Sequence, residues 1–224
     1  MQVALSSIPN GAKARDNSRQ KPYPQEPLMS VPTTMFNLTG RAYPPAKLSQ
    51  ASLVIIDAQK EYLSGPLALS GMDEAVANIA KLLDAARKAG RPIVHVRHLG
   101  TVGGLFDPQG SRGQFIPGLE PQGDETVIEK RMPNAFKNTD LHQVLQQFGP
   151  LDLIVCGFMS HSSVSTTVRR AKDYGYRCTL VEDASATRDL AYKDTLIPAA
   201  QIHQGEMAVM ADNFACVAPT ASLI

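Results

Sequence analysis

Short apolar runs alternate with segments of helical spacing from Ser52 almost to the end of the chain, and few architectures accept that pattern. Leu53–Ile56, Pro92–Val96, Thr126–Glu129, Leu153–Cys156, Cys178–Val181 and Met207–Met210 read as buried strands, with a further short strand over Phe214–Val217. Between them, Asp73–Ala89 carries Val76, Ile79, Ala80, Leu82, Leu83 and Ala86 at helical spacing, and Gly90 with Pro92 supplies its stop. Asp140–Phe148 and the stretches near 162–174 and 193–203 read as helices. Repeated strand–helix units are satisfied by parallel strands in one sheet with helices on both faces. The expected fold is α/β, a three-layer Rossmann-like sandwich around a mostly parallel sheet of about six strands. Ligands of such sheets bind just beyond the carboxyl ends of the strands.

Residues 1–48 break the pattern. Pro9, Pro22, Pro24, Pro27, Pro32, Pro44 and Pro45 punctuate them, and Met1–Lys21 shows no sustained period. They read as an N-terminal arm ahead of a domain over 49–224. Val31, Met35, Phe36 and Leu38 need cover, either from the domain's own edge or from a neighbouring subunit, so a homodimer or homotetramer is expected. Charge excludes several partners: 22 basic against 21 acidic residues leave +1, no field for nucleic acid or an anionic membrane. No apolar run reaches the roughly 18–20 residues of a membrane span. Met1–Pro9 lacks the basic-then-apolar start of a signal peptide. Cys156, Cys178 and Cys216 are too few and too odd in number for a disulfide framework, which points to free thiols in a cytoplasmic protein.

Residues 151–167 carry the densest chemistry. The run Leu153–Cys156 meets Gly157, then Ser160, His161, Ser162, Ser163, Ser165, Thr166 and Thr167 crowd the entry to a helix. A strand turning sharply into a helix presents side chains and free backbone N–H groups at the sheet edge, a geometry suited to a nucleophile and its oxyanion hole. An ordinary Ser-rich helix cap would look the same. Two other strand ends favour the chemical reading. Asp57 follows four apolar residues, where a carboxylate is costly unless paired or functional. Lys130 closes Val127-Ile128-Glu129-Lys130 and could pair with it, holding it ionised.

These segments, in order and with Ala135-Phe136…Thr139-Asp140 and Val181-Glu182-Asp183-Ala184, resemble the isochorismatase-like, or cysteine hydrolase, family over roughly residues 50–217. The resemblance implies a hydrolase of small C–N bonds, amide or carbamate-like, acting on a small-molecule substrate without a cofactor. It assigns Asp57 as general acid–base, Lys130 as the cation that orients it, and position 163 as the nucleophile. Backbone N–H groups of Met159 and Ser163 become the oxyanion donors, with a cis peptide just before Met159. The family's thiol branch carries Cys where this chain has Ser163, and a Ser hydroxyl is far harder to deprotonate. A natural Ser variant, a deliberate Cys→Ser replacement, a silent ligand- or partner-binding member, and a vinyl-ether hydrolase using Asp57 as acid all remain open. His161, two residues from Ser163, is a further candidate base, with loop support as its plainer role.

Tyr62 and Phe136 flank the acid and Lys segments and are expected to line the substrate pocket, core packing being the alternative for Phe136. His95 and His98 stand at i, i+3 in a strand, so they face opposite ways, and no acid-x-His spacing accompanies them; no metal is expected. His142 and His203 fall in helical patterns and read as surface residues. The Gly/Pro-rich stretch 99–123 is long for a connection, reads as functional, and is where substrate choice is expected to lie.

Overall fold

Ser52–Ile56 (β1) is buried at every position, as a strand covered on both faces must be. The computed structural model describes residues 32–224, and Thr33–Ile224 forms one compact unit. Most of the expected arm, residues 1–31, lies outside the described residues. Around β1 run Ile93–His98 (β2), Thr126–Lys130 (β3), Asp152–Phe158 (β4), Arg177–Ala186 (β5) and Cys216–Ala218 (β8), in the order β3-β2-β1-β4-β5-β8. Every neighbouring pair is parallel. The fold is thus the expected α/β sandwich on six strands.

One face of the sheet carries Met72–Lys88 (α2), whose Ile79, Leu82 and Leu83 pack on Leu53 and Ile55 of β1 and Ile154 of β4. The other carries Leu141–Phe148 (α3), Ser165–Asp173 (α4) and Ala199–Asn213 (α5), packed on Val54, Val94, Leu153 and Val155. Alternate residues of one strand therefore feed two separate cores. Strand order reverses between β2 and β4 on either side of β1, and a crevice opens at such a switch point.

Several local expectations change. Met207–Met210 is not a strand: it lies inside α5, with Met207 and Met210 buried one turn apart. A four-residue apolar run fits either period, and length decides. The helix expected from residue 193 begins only at Ala199, after Pro198, because Leu190–Tyr192 (β6) and Thr195–Ile197 (β7) pair first as an antiparallel hairpin. Gly157 does not end its strand; β4 runs on to Phe158 through a register shift between Val155 and Gly157.

Met35–Leu38 (α1) and the chain after it lie against their own domain. Thr34 Oγ1 caps the helix by accepting from Asn37 N–H at 3.2 Å, and Met35 N–H donates to Asp212 Oδ1 at 2.8 Å. Phe36 is buried edge-on to Tyr43. The Tyr43 hydroxyl donates to the Cys178 carbonyl at 3.1 Å, and Ala46 N–H to Thr179 Oγ1 at 2.8 Å.

Candidate active site

Three strand ends converge at the switch point. β1 delivers Asp57, whose backbone is left-handed (φ 51°); Asp is one of the few side chains that tolerate it. β3 delivers Lys130, and the turn after β4 delivers Ser163. Lys130 Nζ donates to Asp57 Oδ2 at 2.7 Å, to Ser163 Oγ at 3.2 Å and to His98 Nδ1 at 3.1 Å. All three N–H bonds of the ammonium are accounted for, within a site where Asp57 is 0 %, Lys130 2 % and Ser163 5 % exposed.

Burial pushes the Asp57 carboxyl above its ordinary range, opposed by the Lys130 ammonium and, more weakly, by the Ser163 hydroxyl. Oδ1 of Asp57 is buried with no hydrogen-bond partner. Because Lys130 donates to Ser163 Oγ, the hydroxyl's own proton points elsewhere.

The turn that carries Ser163 is approached through a glycine. Gly157 has φ 115°, and a Cβ there would stand 2.0 Å from the Ile56 carbonyl oxygen, so β4 can press against β1 only with glycine at this point. The Phe158–Met159 peptide is cis. Ser160–Val164 then forms a single wide turn before α4, with Ser162 and Val164 N–H both donating to the Met159 carbonyl. His161 Nδ1 hydrogen-bonds Thr187 Oγ1, and no bond joins it to Ser163. From behind, His203 Nδ1 meets Ser160 Oγ at 3.1 Å. His203 is therefore half-buried support for the turn, not a surface residue. His142 is half-buried as well, stacked on Tyr174 and bonded to the Tyr176 hydroxyl.

Of the two expected pocket aromatics, Tyr62 lies near enough to Asp57 for that carboxylate to help raise its hydroxyl, after burial, above the ordinary phenol range, and Phe136 lies in a different core. Tyr62 is buried between Phe106 and Phe158, and Phe136 belongs to the opposite core against Tyr174 and Tyr176. The aromatic wall beside Lys130 is Phe106 from the 99–123 stretch, 4.9 Å from the His98 ring. His98, Phe106 and Gln59 were not singled out by sequence reasoning for the site. Gln59 is fully buried and fixes His98 from both sides, accepting from its N–H at 2.8 Å and donating to its carbonyl at 3.0 Å. The strand-edge rule that located Asp57 and Lys130 also locates His98, since it ends β2. Among the described residues no group of three or more His, Cys, Asp or Glu could hold a metal ion, and no helix is long and apolar enough to cross a membrane.

Residues 51–222 match the isochorismatase domain family. A crystal structure of an isochorismatase from Pseudomonas putida KT2440 is 87 % identical, with a TM-score of 0.86 over 87 % of this chain and 100 % of that one. An uncharacterised isochorismatase family protein of Bacillus subtilis is 40 % identical over 77 % of this chain and 98 % of its own. A ureidoacrylate amidohydrolase of Rhizobium rhizogenes is 28 % identical, over 72 % and 79 % of the two chains.

Proposed function

The chain belongs to the isochorismatase family of hydrolases, and from that premise we propose that it cleaves a C–N bond of a small amide or carbamate-like substrate through Asp57, Lys130 and Ser163. One observation carries this reading: a single buried ammonium bridges the carboxylate and the hydroxyl, at 2.7 and 3.2 Å. The amidohydrolase relative supports the bond type.

The steps follow from those contacts. Asp57 accepts the Ser163 proton as Oγ attacks the substrate carbonyl carbon, and the carbonyl electron pair moves onto oxygen. Backbone N–H groups of Met159 and Ser163 take that oxyanion. Collapse re-forms the carbonyl and breaks the C–N bond, with Asp57 returning its proton to the leaving nitrogen. Water then repeats the attack on the acyl-serine: Asp57 takes a water proton, and returns it to Oγ as the acid departs. Lys130 stays an ammonium throughout, favouring negative charge first on Asp57 and then on Oγ. Burial makes the Asp57 carboxyl hold a proton more readily than an ordinary carboxylate, which suits a group that must carry the proton from Oγ to the leaving nitrogen.

The same upward shift favours a second reading, in which protonated Asp57 donates to a vinyl ether and Ser163 takes no covalent part. The two readings separate in one assay. A panel of small amides and carbamates is followed by ammonia release, and isochorismate by pyruvate release. Ser163→Cys should raise ammonia release by at least about 10-fold and render residue 163 sensitive to iodoacetamide, because a thiol beside an ammonium ionises readily. Pyruvate release unaffected by Ser163→Ala would favour the vinyl-ether reading. Inactivity of both forms on both substrate classes would leave a silent ligand-binding member. A cytoplasmic homodimer or homotetramer belongs to the same proposal, supported by the three free cysteines and by exposed Tyr192 and Leu196 on the β6–β7 hairpin.

A further inference from the structure

Beside Lys130 a cleft of ≈ 580 Å³ is lined by His98, Gly100, Leu105, Phe106 and Arg131, among others, a volume suited to a small ligand. Its walls are built rather than draped. Gly100 N–H donates to the Phe106 carbonyl at 2.9 Å, and a Cβ on Gly100 would lie 1.8 Å from the Leu105 carbonyl oxygen, so the loop closes only on glycine. Phe106 sits at φ 53° with its N–H donating at 2.9 Å to Glu61 Oε2, and Glu61 is fully buried and paired with Arg112 at 3.3 Å. Two remote charges thus hold one aromatic side chain against the cleft.

Two nitrogen-bearing side chains, His98 and Arg131, line this space. Lys130 Nζ donates a hydrogen bond to His98 Nδ1 at 3.1 Å, so the neutral ring carries its own proton on Nε2. Burial, then Lys130 and Arg131, bring His98 down to about 4, so that tautomer persists at neutral pH. Nε2 has no partner among the described residues and is not sealed from solvent. Arg131 is exposed, touches only the Gly100 carbonyl at 3.4 Å, and has no carboxylate partner among the described residues. Arg131 is the one cationic side chain among the residues lining the cleft. An arginine fork and a ring N–H over an apolar wall match a planar anion on an apolar stem.

We infer that this cleft selects substrates carrying a carboxylate, held by Arg131 and by Nε2–H of His98, with the scissile C–N group reaching Ser163. The inference rests on the hydrolase reading for what happens at Ser163, but not for the binding step. Isothermal calorimetry on the full chain therefore tests it without turnover, using matched acid and neutral pairs: succinamate against succinamide, and glutaramate against glutaramide. At low salt at least one acid should bind about 10-fold tighter than its diamide, and the gap should shrink in 0.5 M salt, where the screening length is only a few Å. Arg131→Gln should abolish the gap, and Arg131→Lys should keep part of it. Acids that bind no tighter than their diamides, or a gap that survives Arg131→Gln, would overturn the inference. Selective acid binding without ammonia release would instead sink the hydrolase reading and leave this one standing; ammonia release without acid selectivity would do the reverse.

Discussion

Lys130 shows how much one side chain can hold together. It is 2 % exposed, bridges three strand ends, and neutralises a carboxylate that has no other charged partner. Lys130→Met should destabilise the fold by about 3–5 kcal/mol in urea unfolding, because it strands a buried anion. Adding Asp57→Asn to it should recover most of the loss while activity stays absent; a double variant no more stable than the single would mean that Lys130 acts mainly through packing. Gly157 is the backbone counterpart. With φ 115° and the Ile56 carbonyl 2.0 Å from a Cβ, Gly157→Ala should cost about 3 kcal/mol or more, since strain and clash add. A Tm within a degree or two of wild type would contradict that geometry.

Among elements, the turn after β4 and the strap of α1 are the most informative. The turn is held by its own Met159 carbonyl, by Thr187 on His161 and by His203 on Ser160. His203→Ala should therefore lower kcat with little change in stability, through looser placement of Ser163; an unchanged kcat would reduce His203 to a spectator. The strap puts the apolar side chain of Phe36 into its own domain, where it is 8 % exposed and Lys172 lies over the ring. Phe36→Ala should cost about 3 kcal/mol by the usual penalty for emptying an aromatic site. Deleting residues 1–46 should lower Tm for the same reason. Light scattering on the truncated chain tests the proposed assembly role: an unchanged oligomer would confine the segment to covering its own fold.

Over the whole molecule, pH gathers these local charges into one curve. His98 is depressed from 6.5 to about 4, so between those values the unfolded chain binds the extra proton and stability falls as pH falls. Burial works to raise Glu125, but Arg87, the Gln122 N–H and His95 outweigh it and bring the carboxyl from 4.5 to about 2. Its contribution is complete above pH 4.5 and is lost on acidification toward 2. Asp57 runs the other way: its raised folded value makes stability fall as pH climbs above 3.8. Urea midpoints from pH 7 to 3 should thus decline in two stages, and Glu125→Gln should flatten the lower one. A flat profile in wild type would contradict both assignments.

The sequence by itself determined the architecture and the meeting of three polar strand ends. Both are written in local signals: apolar runs set by burial on two faces, and polar residues stranded at strand ends, where a parallel sheet must present them. That is why Asp57, Lys130 and Ser163 could be grouped before their distances were known, and why His98 was within reach of the same rule. Met207–Met210 failed because four apolar residues suit a strand or one turn of helix, and only the packing of α5 decides. Phe136 stands close in sequence to Lys130, yet it packs in the core on the α3–α4 face against Tyr174 and Tyr176. The stretch 99–123 reads as functional in the sequence, but which of its residues wall the cleft with Arg131 is not legible there. The wall exists because a long irregular loop folds back on Glu61 and Gly100, and such closure is set by contacts between residues far apart in the chain, which only the tertiary structure brings together.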